Sequence, residues 1–167
     1  MLLTHALLAL AFFQAAAPAD PSLPPPAAHA ELIVIGHGVQ IYKCALPNPA
    51  AVAFQWVFQE PQADLFDTTT HQPVGTHTIG PTWTWHDNSA ITGKPLKSQP
   101  SPDRANIPWL LLETHSTGGS GTLANIKYVR RSDTKAGAAP DNGCDARHQD
   151  NVIRVPYEAT YTFYSAN

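Results

Sequence analysis

The chain is 167 residues long, and its 10 Lys and Arg stand against 13 Asp and Glu, a formal charge of −3 with only 14% charged residues. So weak a field does not gather phosphate backbones or anionic lipid, and nucleic acid is therefore not an expected partner. Sixteen prolines and ten glycines among short β-branched and aromatic runs describe many short strands joined by turns.

Residues 1–19 are mostly apolar and end in the small-residue stretch Ala15-Ala16-Ala17-Pro18-Ala19. They read as a secretory signal peptide cleaved near residues 17–19, which predicts a secreted, extracellular protein. No Lys or Arg precedes the apolar run 6–13, and the alternative is a buried N-terminal helix; the run is too short for a membrane span. Residues 20–30 hold Pro21, Pro24, Pro25 and Pro26, so an extended Pro-rich linker is expected there. A single β domain over 31–167 follows, large enough to bury roughly two-thirds of its unfolded-chain surface.

Inside that domain, 32–35 and 39–44 read as strands separated at Gly36-His37-Gly38, where two close glycines suggest a bulge or bend. Residues 52–58 alternate, placing Val52, Phe54, Trp56 and Phe58 on one core face, and 61–72 read as a surface connection. The densest chemistry lies in 74–89, VGTHTIGPTWTWHDNS, where Gly80-Pro81 and Asp87-Asn88-Ser89 are turns flanking a short strand, 82–85. Residues 94–106, with three prolines, read as a long loop. Residues 107–114 suit a strand buried on both faces, and 122–131 an alternating strand with Ile126 and Tyr128 opposite Lys127 and Val129. The last strand, 157–164, faces Tyr157, Ala159, Tyr161 and Phe163 inward and Thr160, Thr162 and Tyr164 outward. The predicted fold is all-β, an antiparallel β-sandwich or a partly open barrel.

Cys44 and Cys144 are the only cysteines, and in an exported chain they invite a disulfide closing a loop of about 100 residues. The alternative is two buried free thiols, since cysteine is a good small hydrophobe.

Several runs carry a resemblance beyond composition: GVQIYKC (38–44), PQADLFD (61–67), VGTHTIGPTW (74–83), IPWLLL (107–112), YVRRSDT (128–134), APDNGCD (139–145) and VPYEATYTFY (155–164). Across 32–164 the chain resembles a family of secreted bacterial and fungal proteins classed as a domain of unknown function, some fungal members of which are labelled malate dehydrogenase. The chain departs from it at Asn88, where the family has the glycine of an Asp-Gly-Ser turn, and at Ala136-Gly137, where the family has Gly-Gly. The resemblance implies the fold and export. The dehydrogenase label meets a physical objection: a dinucleotide site needs three spaced glycines between a strand and a helix. Gly36-His37-Gly38 lacks the third, and Gly118-Gly119-Ser120-Gly121 precedes a strand. No NAD or other cofactor is expected.

Two classes of function remain. One is an extracellular binding module for a small polar molecule or glycan, with His77, Trp83, Trp85, Asp87 and Tyr164 as candidate contacts, because rings offer flat apolar area at small entropic cost. Strand parity makes Trp83 and Trp85 share one face, so both are buried or both presented. The other is an extracellular enzyme or metalloprotein in which His77, His86 and Asp87 meet to hold a metal, or a base with its orienting carboxylate. None of these histidines shows the close spacing of a strong metal motif, and a histidine beside Gly80-Pro81 equally serves loop carbonyls. No catalytic residue or oligomeric state is marked in the sequence.

Overall fold

A computed structural model describes residues 20–166; the expected signal peptide, 1–19, lies outside the described residues. Eight strands follow in chain order: β1 (Ala28–Ala45), β2 (Gln55–Asp67), β3 (Pro73–Thr78), β4 (Thr82–Trp85), β5 (Ala90–Gln99), β6 (Trp109–Gly118), β7 (Ile126–Ala136) and β8 (Val152–Ala166). Each pairs antiparallel with its chain neighbours, and β8 returns to β1, so one sheet closes into a barrel. Closure satisfies the edge N–H and C=O groups that a sandwich or partly open barrel would leave exposed.

Period-two alternation fills the interior. On β8, Tyr157, Ala159, Tyr161 and Phe163 are all buried, as the sequence predicts. They meet Val34, Leu65, Trp83, Trp85, Ile91 and Val129 in one core, where each fully buried large side chain stabilises by about 1.5–3 kcal/mol. Ala63, His77, Trp83 and Ile91 are paired in register across β2 to β5 and so form one layer of the filling. That layer is the floor of the site described below.

Elsewhere the structure differs from the sequence reading, and register explains most of it. β1 passes through Gly36 and Gly38 without a break. A Cβ on Gly36 would lie 2.6 Å from Tyr161 Cε2, and one on Gly93 2.9 Å from Trp83 Cζ3, so these glycines make room for the rings that fill the barrel. On β2, pairing with β1 slips between Ile41↔Glu60 and Tyr42↔Phe58, leaving Gln59 as an extra residue. The slip exchanges faces. Pro61, Ala63 and Leu65 are buried, so the expected surface connection is a core strand, whereas Val52 is 99% exposed and Phe58 half exposed. β5 likewise runs through Pro95, at a register break, into the expected loop.

Within 20–30, Asp20 and Ser22 are tied to Arg130 of β7, while most of the other residues are exposed. Ser22 N and Oγ both donate to Asp20 Oδ1, and Arg130 Nη2 donates to Asp20 Oδ2 at 2.6 Å. Ser22 is fully buried, and residues from Ala28 onward already belong to β1. Cys44 and Cys144 are disulfide-bonded with Cα atoms 5.4 Å apart. The bond fastens loop 137–151 to the end of β1, beside Trp56 Nε1, which donates to Asn142 O at 2.8 Å.

Candidate functional site: the mouth of the barrel

Antiparallel order puts the end of β1, the start of β2, the turn 79–81, the end of β5 and the starts of β6 and β8 at one end of the barrel. A cavity of about 420 Å³ opens there, walled by Phe58, Ile79, Pro81, Pro95, Leu110 and Leu112 and floored by His77, Trp83, Arg131 and Tyr161. A neighbouring hollow of about 300 Å³ shares Phe58, Leu110 and Arg131 with it and adds Gln40 and Tyr42. The turn that presents Ile79 depends on Gly80, whose φ of 79° is ordinary only for glycine.

His77 is almost fully buried. Its ring stacks on Trp83, with centroids 4.5 Å apart and planes 7° from parallel, and meets the edge of Tyr161 at 5.2 Å. Nδ1 lies 3.0 Å from Thr82 O; a carbonyl only accepts, so Nδ1 carries the proton and Nε2 a free lone pair. Burial pushes the His77 pKa down to about 3, the charge of Arg131 adds to the effect, and the Thr82 bond opposes it. A histidine held neutral at every pH near 7 is a hydrogen-bonding group, not a proton shuttle.

Trp83 is wholly buried, and its Nε1–H has no acceptor. Arg131 is 9% exposed, and its Nε and Nη2 both donate to Pro108 O at 3.1 and 2.9 Å. Among the described residues no carboxylate pairs with it. Arg131 lines both hollows; burial raises the pKa of Tyr161 and of Tyr42, and the Arg131 charge, with a hydrogen bond to the Tyr161 hydroxyl, pulls them back.

The residues singled out in the sequence divide between two places. Trp83 and Trp85 are both buried on the inner face, with Trp85 against Phe163 at 6.1 Å. Only Trp83 and His77 line the cavity. Tyr164 is half-buried between Ala30 and Tyr128 on β8, away from it. His86 and Asp87 follow the opposite end of β4 from His77, in an exposed turn. Asp87 accepts from Ser89 N, Ser89 Oγ, Thr122 N and Thr122 Oγ1 at 2.6–2.9 Å. Those bonds hold its carboxyl well below the usual carboxylate range, the Ser89 hydroxyl first among them. Its lone pairs are therefore occupied, and among the described residues no group of three or more His, Cys, Asp or Glu side chains is placed to hold a metal.

Arg131, Phe58 and Leu110 were not singled out in the sequence. For Arg131, parity says only that it shares a face with Val129; that this face turns inward is set by the register shift between Ile126 and Tyr128. Phe58 and Leu110 gave no signal, because being apolar in a strand does not distinguish a cavity wall from a core.

Residues 24–165 match the family model described as "Protein of unknown function (DUF3455)". No curated protein and no solved structure gives a significant match.

Proposed function

The chain belongs to that family of unknown function, and from this premise we propose that it is a binding protein that takes up a small, largely apolar molecule in the mouth of its barrel. The observation that carries this reading is the unpartnered Nε1–H of fully buried Trp83 at the floor of an apolar cavity. A buried donor without an acceptor costs about 1–3 kcal/mol, a cost that a ligand oxygen or nitrogen would remove. The cavity volume lies in the range of small-molecule sites, which are mostly apolar with a few converging polar groups. Its apolar wall favours a ligand with a hydrocarbon or aromatic body over a glycan. The disulfide supports work in an oxidising compartment, consistent with export. The enzyme or metal reading of His77, His86 and Asp87 gains no such support, because His77 sits inside the barrel on β3 while His86 and Asp87 lie in the exposed turn after β4.

The test is uptake of phenylnaphthylamine, a neutral fluorescent probe, by the parent protein and by Leu110→Trp. Leu110 walls both hollows, so the added indole fills the space. Enhanced fluorescence in the parent and its loss in a folded Leu110→Trp are expected; no uptake by the parent, or equal uptake by the variant, overturns the reading.

A further inference from the structure

Resting on that binding reading, we infer that the ligand is an anion, a small amphipathic carboxylic acid whose carboxylate is held by Arg131 while its apolar body lies in the cavity. The polar groups around the two hollows are unbalanced in one direction. Arg131 brings a buried guanidinium that donates to Pro108 O and lies against the Tyr161 hydroxyl, both neutral groups, with no carboxylate beside it among the described residues. Trp83 Nε1 is a buried donor with no acceptor, and the Gln40 amide reaches no group but the neutral Tyr157 hydroxyl. A spare Trp83 donor and a whole positive charge thus line one cavity, and among the described residues no carboxylate answers them, although the chain has 13 Asp and Glu. The nearby Arg130, by contrast, has Asp20 as its partner.

A guanidinium removed from water is strongly unfavourable until an opposite charge joins it, and its planar fork matches the two oxygens of a carboxylate. The acid must also carry an apolar body, because Phe58, Ile79, Pro95 and Leu110 offer that body nothing polar. Inorganic anions therefore satisfy the charge but leave the wall empty. Tyr161 and Tyr157, whose hydroxyls bond to each other at 2.9 Å, are kept protonated by burial and so leave the charge of Arg131 unanswered.

The experiment compares decanoate with decanol, and naphthoate with naphthamide, by calorimetric titration of the folded, disulfide-bonded protein. Each acid is expected to bind about ten- to hundred-fold tighter than its neutral partner, the range of a charge-assisted hydrogen bond against a neutral one. Arg131→Gln, which can still donate to Pro108 O, should erase that difference while retaining the neutral compound; Arg131→Lys should keep part of it. In the parent protein the Arg131 Nε–H NMR signal should move on adding decanoate and not on adding decanol, a readout that stands even where a variant fails to fold. Equal binding of acid and alcohol, or a preference that survives in Arg131→Gln, overturns the anion assignment and leaves the binding pocket standing. Failure of acids, alcohols and phenylnaphthylamine alike overturns both.

Discussion

The two ends of this barrel are built from the same alternating strands and finished in opposite ways. At the end bearing the β4–β5 turn, Asp87 gathers four hydrogen bonds, and Ser89 Oγ in turn accepts from Leu123 N at 3.1 Å. Leu123 and Phe163 plug the interior beneath, both wholly buried. A hollow of about 550 Å³ at this end is lined by Glu31 and Lys127 together with Thr122 and Asn125, so both charge signs are already present. At the mouth, the donor of Trp83 and the charge of Arg131 are left over, and the interior is open. Buried polar groups are normally satisfied, so the proposed binding function is placed at the end where they are not, and the other end is read as a cap.

The comparison is most severely tested at Trp83, which belongs to the core and to the mouth at once. Trp83→Ala should lower unfolding free energy by about 3–5 kcal/mol, read by chemical denaturation, and should also weaken phenylnaphthylamine uptake. A loss well below that range would mean that the ring is held by the cavity and not by the core.

Next in size is the staple at the rim. Replacing Cys44 and Cys144 together with Ser removes a link spanning 100 residues, for an expected loss of about 2–4 kcal/mol. Because the link fastens loop 137–151 beside the mouth, hydrogen exchange should accelerate there first and leave the Asp87 turn protected. Equal acceleration at both ends would remove the distinction between them.

The third test uses pH. His77 has its folded pKa depressed to about 3 from 6.5, so the unfolded chain binds a proton that the folded one refuses between those values. The stability it contributes is present above pH 6.5 and is lost as pH falls towards 3, about 3 kcal/mol by pH 4. His77→Gln should flatten that part of the stability curve. An unchanged slope in the variant would place the acid sensitivity elsewhere.

The smallest effect is expected at the cap. Asp87→Asn keeps the side-chain shape and one acceptor but loses the charge that the Ser89 and Thr122 donors favour. Its melting temperature should fall modestly, with phenylnaphthylamine uptake unchanged. Altered uptake would show that the two ends communicate.

How far the site could be read from the sequence differs residue by residue. His77 and Trp83 stood out because a rigid Gly80-Pro81 turn and adjacent aromatics are visible locally, but that they pair across β3 and β4 is decided by register. Asp87 stood out for the same reason, yet its composition alone could not tell a ligand from a turn hub; the four donors that occupy it come from Ser89 and from Thr122, 35 residues away. Arg131 was obscured by a register slip between Ile126 and Tyr128, which moves Val129 and Arg131 to the inner face while simple alternation assigns Ile126 and Tyr128 to one side.

The sequence by itself determined the strand-rich class, the inward face of β8 and the turns at Gly80 and Asn88, because each follows from local geometry, and its two cysteines pointed to the disulfide that the structure decided. Only the tertiary structure decided that the sheet closes, which face of β2 and β7 points inward, and that Arg131 is left without a counter-charge in an open mouth. Closure, register slips and the absence of a partner are relations among residues far apart in the chain, and neither periodicity nor composition encodes them.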